Sequence, residues 1–300
     1  MPIVIAGGTG FVGKAVAHNF ANRGDQVYVL TRHPEPDLPN ITFIEWLTDR
    51  SQPEKALNHL SVDAFINLAG EPLNKGRWTR RKKEAILQSR IRATQESIKI
   101  VKRLNEKPNV YINASAIGYY GNSTDQTFVE TSVSLENSFP SRVCERWEAE
   151  AKNTEGLGVR TVITRIGVVM GKGGGALPKM MLPYHLFAGG TIGTGKQWVS
   201  WIHLDDLIGL IRFIVENESI TGPVNLTAPH PVRMEQLGKT IASVLSRPHW
   251  FPVPEWLIKL FFGEMSNILL EGQKVLPIKA LEAGYVFHFQ RIEEALHDLN

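Results

Sequence analysis

A single cysteine, Cys144, stands in 300 residues, so no disulfide can close within the chain and a reducing, cytoplasmic setting is expected. No apolar run reaches the roughly 18 residues that a membrane span needs. The first strand signal opens at Pro2, which leaves no room for a leader peptide. Neither sign of charge dominates: 33 Lys and Arg face 30 Asp and Glu, a net charge of +3, too slight to steer the chain to nucleic acid or to a membrane surface. Nine histidines occur, but no HExxH or CxxC spacing, so no structural metal is expected. Internal repeats and low-complexity linkers are absent too. What is present is 43% hydrophobic and 21% charged, an ordinary composition for a globular protein. The length suits one large α/β domain, or a nucleotide-binding lobe with a smaller companion.

The first half alternates strand and helix signals. Ile3 to Ala6 is a short apolar strand; Phe11 to Arg23 reads as a helix, with Val12, Val16 and Phe20 repeating every four residues along one face. Gly24-Asp25 ends that helix, and Val27 to Leu30 follows as a continuously apolar strand of the kind buried on both faces. Further strands are expected at Ile41 to Trp46, Val62 to Ala69, Val110 to Ser115 and Arg160 to Val169. Long helices are expected at Thr79 to Leu104 and Phe139 to Glu155. This alternation predicts an α/β fold, a doubly wound parallel sheet of Rossmann type, because parallel strands need helical crossovers that cover both faces. Past residue 170 the texture changes. Glycines at 171–175 and 189–195 bracket an apolar stretch from Leu177 to Phe187, and a strand-helix pair spans Trp198 to Val215. The last seventy residues, rich in proline and aromatics, carry too much apolar material to stay disordered. The expected organisation is a Rossmann domain at 1–230, with 170–197 contributing to the substrate lobe, and a small C-terminal lobe at 231–300.

Between the first strand and first helix lies Gly7-Gly8-Thr9-Gly10-Phe11-Val12-Gly13. Glycines at 7, 10 and 13 serve a tight turn, close backbone approach to a pyrophosphate, and close helix–sheet packing. The helix start adds unpaired N–H groups and the positive end of a dipole. The end of the second strand chooses the cofactor: an acidic residue there binds the ribose 2′-hydroxyl of NAD, whereas an Arg suits the 2′-phosphate of NADP. Here it reads Leu30-Thr31-Arg32, with His33 adjoining and no carboxylate. NADP is the expected cofactor, with Thr9, Phe11, Val12, Thr31 and Arg32 among its contacts. The alternative reading of Arg32 is a solvent-facing loop residue.

In order along the chain, GGTGFVG from Gly7, FINLAGEP, ASAIGYYG, TRIGVVMGKGGG and WIHLDD resemble the short-chain dehydrogenase/reductase superfamily, in its NAD-dependent epimerase/dehydratase branch. RPHWFPVP, FFGEMS and LEGQKVLPIKALEAGYVF resemble the C-terminal domain of unknown function of one atypical subgroup, some of whose bacterial members carry a cell-division-inhibitor label that these residues do not support. The resemblance implies that Leu68, Ala69 and Gly70 lie beside the cofactor. It further implies that Ala114 and Ser115 approach the nicotinamide, that residues around Trp46 and Leu47 cover the adenine, and that Arg165 to Gly167 line the route to substrate.

The resemblance breaks at the usual Ser plus Tyr-x-x-x-Lys. With Glu148 matched to the glutamate that typically follows, Pro140 takes the Tyr position and Cys144 the Lys position, and neither can transfer a phenolic proton or present an ammonium. Ser115 precedes Tyr119-Tyr120-Gly121 by one residue more than usual. The candidate catalytic residues are therefore Ser115, Tyr119 and Tyr120, with aromatic packing as the equal alternative for the tyrosines. Cys144 reads as a small buried hydrophobe. Arg142 or Arg146 offers a replacement charge, unless both face solvent or pair with Glu145 and Glu148.

Lys75 to Lys83 is the most basic run; it reads mainly as a solvated helix start, with Arg77 and Trp78 placed to border a substrate pocket and Glu71 a conceivable acid or base. Asp205 or Asp206 reads as a helix cap, and His203 as packed or capping more than as a pocket residue. The glycines around Lys172 and Lys196 read as mobile pocket walls, with Lys179 between them. The whole predicts an NADP(H)-dependent oxidoreductase or epimerase-like enzyme on a small polar substrate. A non-catalytic NADP(H)-binding sensor or scaffold is the alternative. Substrate identity and oligomeric state are not encoded in these patterns.

Overall fold

A computed structural model describes residues 1–73, 76–136 and 138–300. Its centre is a parallel sheet of β1 (Pro2–Ala6), β2 (Gln26–Thr31), β3 (Ile41–Glu45), β4 (Ala64–Asn67), β5 (Val110–Ala116), β7 (Arg160–Ile166) and β11 (Gly222–Leu226), in the spatial order β11-β7-β5-β4-β1-β2-β3. Every pairing in it is parallel. Strand side chains alternate between two cores, as the pleat requires. Ile3 and Ile5 join Val16, Ala17 and Phe20 of α1 (Phe11–Asn22) on one face. Val4 and Ala6 join Ala93, Ile100 and Val101 on the other. Those three belong to α3 (Arg80–Arg103), which follows the short α2 (Pro53–Leu57). The expected sheet is thus present, with the periodic face of α1 buried as its spacing predicted.

Beyond the sheet the chain forms β6 (Thr127–Phe128), α4 (Phe139–Ala151), β8 (Val168–Met170), α5 (Leu177–His185), β9 (Trp198–Val199), β10 (Trp201–His203), α6 (Leu204–Glu216), β12 (Val232–Arg233) and α7 (Met234–Val244). It ends with α8 (Glu255–Phe262), α9 (Asn267–Leu270), β13 (Lys274–Val275), α10 (Ile278–Glu282) and α11 (Ile292–Leu299). A second core gathers Met170, Leu177, Tyr184, Val199 and Trp201 with Val232, Leu237, Ile241, Ile292 and Leu296. This second core therefore draws on 170–201 as well as on the C-terminal segment, which also returns to the first part of the chain. β13 pairs with β6, and Ala280 and Phe287 lie in the first core.

The segment expected as one strand from Arg160 to Val169 is broken at Gly167. Its N–H makes the last rung to β11, at the Leu226 carbonyl (3.0 Å), and β8 then turns to pair with β10. A Cβ at 167 would fall 2.6 Å from the Ser200 carbonyl oxygen, so only glycine allows the crossing.

At the start of α6 the cap is His203, whose Nδ1 accepts from the Asp205 N–H at 3.1 Å. Asp205 and Asp206 do not cap. The buried Asp206 carboxylate accepts from the N–H groups of His288 (2.8 Å) and Phe289 (2.9 Å) and so pins the C-terminal segment to α6.

Candidate functional site

The strand order reverses direction between β1 and β4, and in open α/β sheets a crevice at the carboxyl ends of such strands is where ligands bind. Here that crevice is very tight. Gly7 sits at φ +80°, and a Cβ on it would lie 2.9 Å from both N and Cα of Ala69. The glycine loop and the Leu68-Ala69-Gly70 turn therefore touch, backbone to backbone. Gly13 packs α1 against the loop: a Cβ there would be 2.3 Å from the Gly7 carbonyl oxygen. Gly10 differs, since its Cβ would meet only that oxygen, at 3.4 Å. Nothing inside the protein forbids a side chain at position 10.

Gly10 is also the N-cap of α1. No side chain caps it and no acidic residue occupies the first turn. The N–H groups of Phe11, Val12 and Gly13 start the helix with its positive dipole end in the crevice, an arrangement that suits an anion. The Phe11 ring is roofed by the 171–175 glycines: a Cβ at Gly174 would be 2.2 Å from its Cδ2. Those glycines thus lie directly over the nucleotide loop.

At the end of β2, the Thr31 hydroxyl accepts from the His33 N–H at 3.3 Å and tightens the turn. Arg32 is exposed and makes no ion pair or hydrogen bond among the described residues. A free guanidinium at this strand end matches what a 2′-phosphate requires. Beside β3, Trp46 is 3% exposed and its indole N–H has no partner. Leu47 is held at φ 60°. Both line a cavity of about 220 Å³ shared with Arg92, Lys99 and Arg103 of α3. Uncapped helix, unfilled glycine and unpaired donors together fit an anionic dinucleotide.

On the β5 side the structure corrects three expectations. Ser115 Oγ donates to Glu148 Oε1 at 2.7 Å. Arg165 grips the same carboxylate in a bidentate manner, Nε to Oε1 at 2.9 Å and Nη2 to Oε2 at 2.8 Å. Its Nη1 donates to the Tyr120 hydroxyl at 3.0 Å and to the Glu130 carbonyl at 3.3 Å. Tyr120 in turn donates to Asn225 Oδ1 at 2.7 Å and is fully buried. Burial, opposed by Arg165, pushes its phenol up to about 12. Burial alone would lower Arg165, but the hydrogen bonds to Glu148 and its charge raise it. Ser115, Tyr120 and Arg165 are hence committed to one internal network that ties β5, α4, β7 and β11 together, because a desolvated guanidinium is costly unless it is paired and hydrogen-bonded. None of the three presents a free polar group to the crevice. Ala114, on β5 beside them, is buried.

Tyr119 is the exception. It is half-buried, its ring lies under the Arg165 guanidinium at 3.5 Å, and its hydroxyl has no hydrogen-bond partner among the described residues. Pro140, expected at the tyrosine position of the family pattern, packs on Gly118: a Cβ there would be 3.0 Å from the proline Cβ. Cys144 is buried, and burial followed by the nearby Glu148 charge pushes its thiol up to about 11, as suits a packed residue. Arg142 and Arg146 both face solvent.

Other candidates find structural employment. Arg77 donates to the carbonyls of Leu260 and Phe261 and closes the end of α8. Trp78 is buried edge-on against Phe139. Glu71 is held by Lys82 at 2.6 Å. Lys179 is exposed. Lys75, in the basic run, lies outside the described residues. Among the described residues no cluster suits a metal ion and no helix is long and apolar enough to cross a membrane. Sequence reasoning missed Arg90 of α3, which is 9% exposed and abuts Gly70. Its signal was a charge on the apolar stripe that Ile86, Ala93, Ile100 and Val101 define.

The NAD dependent epimerase/dehydratase family matches residues 3–226, and a domain of unknown function (DUF1731) matches 253–299. The epimerase family protein YfhF of Bacillus subtilis (strain 168) is 46% identical over 300 residues, 100% of this chain and 98% of its own length. Among solved structures, the human epimerase family protein SDR39U1 (isoform 2) with NADPH superposes with a TM-score of 0.89 at 32% identity, covering 100% of this chain and 99% of that one. The nucleoside-diphosphate sugar epimerase from Corynebacterium glutamicum gives a TM-score of 0.79 at 27% identity, over 100% of this chain and 58% of that one.

Proposed function

The chain belongs to the NAD dependent epimerase/dehydratase family, and on that premise we propose that it is an NADP(H)-dependent oxidoreductase or epimerase-like enzyme acting on a small polar substrate between the sheet and the small lobe. One observation carries this reading: the uncapped start of α1 faces the crevice at Gly10, where no protein atom fills the space, while the unpaired Arg32 stands at the end of β2. The NADPH present in the human relative's structure supports the same choice.

In this reading the N–H groups of Phe11 to Gly13 hold the pyrophosphate, and Arg32 holds the 2′-phosphate. Backbone at Leu68 to Gly70 and at Ala114 forms the floor beside the nicotinamide half. The nicotinamide, when bound, supplies or accepts a hydride. Gly171 to Gly175, lying on Phe11, exclude water from the reacting side. Tyr119 is the proton donor or acceptor, since its hydroxyl alone among the three expected candidates is unspent, and Arg165 over its ring fixes its orientation. Ser115 and Tyr120 act through the walls, by holding Glu148 and Arg165 in place.

A second reading has its own observation. Two of the three expected catalytic groups, Ser115 and Tyr120, and the route-lining Arg165 are consumed internally, which suits a protein that binds NADP(H) and signals without turnover. Titration of NADPH and NADH by fluorescence on wild type and Arg32→Ala, with nicotinamide oxidation followed across a carbonyl library, separates the two. An enzyme shows an NADPH preference that the variant loses, together with substrate-dependent oxidation. A sensor shows the preference without oxidation, and absence of binding by either nucleotide sinks both readings.

A further inference from the structure

The buried positions of α3 form a helical stripe through Ile86, Arg90, Ala93, Thr94, Ser97, Ile100 and Val101, and Arg90 is its one charged member. A guanidinium carries five N–H donors. Among the described residues only Nη1 of Arg90 finds oxygen, at the carbonyls of Glu71 and Ile86, 3.0 Å each. No carboxylate among the described residues lies within ion-pair distance of it; the carboxylate of nearby Glu71 is held by Lys82. The Trp147 ring lies 5.0 Å from the guanidinium carbon and fixes its plane. Burial lowers the pKa of Arg90, yet an arginine stays charged in a protein. The nearby Glu71 charge offsets this in part, but a buried cation with no carboxylate in direct contact is expensive, and the fold tolerates one here.

The reason lies in what it faces. A Cβ on Gly70 would stand 3.2 Å from Arg90 Cγ and 3.3 Å from Cζ. Gly70, which lies against this guanidinium, therefore has no side chain to cover it, and Gly70 itself is exposed. Gly70 follows Ala69, the residue that Gly7 touches. A dinucleotide lies across the switch point with one mononucleotide on each half of the sheet. Arg32, at the end of β2, marks the adenosine half. Arg90, beside the end of β4, stands on the other.

We propose that Arg90 is a ligand-binding residue whose unspent N–H edge, reached past Gly70, receives oxygen atoms of the nicotinamide-ribose half of the cofactor. The inference rests on the NADP(H) reading above. It explains how a cation is supplied to that half of the site although α4 places the neutral Cys144 there.

The test compares NADPH with 2′,5′-ADP, which keeps the adenosine half and lacks the nicotinamide half, by titration calorimetry on wild type, Arg90→Gln, Arg90→Lys and Gly70→Ala. Arg90→Gln is expected to bind NADPH roughly tenfold or more weakly, the loss of a hydrogen bond from a charged donor, and 2′,5′-ADP as wild type does. Arg90→Lys recovers part of the NADPH affinity. Gly70→Ala, which leaves Arg90 in place and narrows its opening, weakens NADPH alone. Unchanged NADPH affinity in both Arg90→Gln and Gly70→Ala overturns the proposal. So does an equal loss of both ligands in Arg90→Gln and Gly70→Ala, which would make the pair a packing contact. Failure of wild type to bind either ligand counts against the NADP(H) reading itself.

Discussion

Replacing Glu148 by alanine is the most severe single change the structure defines outside the nucleotide loop. Glu148 and Arg165 are each 3% exposed, and the carboxylate accepts three hydrogen bonds, from Ser115 Oγ, Arg165 Nε and Arg165 Nη2. Without it, Arg165 keeps only two neutral acceptors, the Tyr120 hydroxyl and the Glu130 carbonyl, and a buried positive charge stands uncompensated. Removing one partner of a buried pair costs about 3–5 kcal/mol. With an unfolding entropy of roughly 2 cal/mol/K per residue, that lowers Tm by about 5–8 °C for a chain of this length. Urea unfolding and thermal melts of Glu148→Ala, Arg165→Met and the double variant measure it. The double variant removes both charges and puts an apolar side chain where the guanidinium was, so it is expected to lose clearly less than the sum of the two singles. Singles that add in the double to within about 0.5 kcal/mol would show two independent sites and refute the network as the reason these side chains are buried.

Gly10→Ala and Gly13→Ala separate the two uses of glycine in the loop. Gly13→Ala forces a Cβ to 2.3 Å from the Gly7 oxygen and is expected to destabilise by about 1–3 kcal/mol as overpacking does. Gly10→Ala makes only a 3.4 Å contact and is expected to leave the melt unchanged while weakening NADPH binding; a normal affinity would remove the pyrophosphate from this loop. Tyr119→Phe is expected to leave NADPH binding intact and to abolish most substrate-dependent oxidation, whereas full activity would exclude this phenol as the proton carrier. Alkaline pH is expected to destabilise the protein, since a thiol raised from 9.0 to about 11 at Cys144 and a phenol raised from 10.0 to about 12 at Tyr120 keep their protons in the folded state after the unfolded chain has lost them. Each contributes a fall of up to about 1.4 kcal/mol per pH unit across its own window, and Cys144→Ala should flatten the pH 9–11 part of denaturation curves measured from pH 8 to 12.

The sheet and the glycine loop between β1 and α1 were legible because their signals are local. The four-residue repeat of Val12, Val16 and Phe20, and the glycines at 7, 10 and 13, each need only a dozen neighbouring residues to be read. β11 was not legible. It starts at Gly222-Pro223, a turn signal, and becomes a strand only because β7 offers it a parallel edge, with Val224 against Thr164 and Asn225 against Arg165. The same distinction runs through the site. Arg165 at a strand end reads as a wall of the cleft from its position alone. Which way its side chain turns is decided by Glu148, seventeen residues back on α4, and by Tyr120, forty-five back.

Arg90 shows the converse. Its charge on an apolar stripe is visible in the sequence, but a helix interior accepts such a residue for many reasons, including a salt bridge. Only the structure shows that no carboxylate among the described residues reaches ion-pair distance of it and that a glycine lies against it. Where the resemblance puts Pro140 and Cys144 at the expected Tyr and Lys positions, the polar groups left unspent beside the crevice are the ones to test for binding and chemistry. By that criterion Arg32, Arg90 and Tyr119 stand apart from Ser115, Tyr120 and Arg165, which the sequence ranked beside or above them and which the fold has already used.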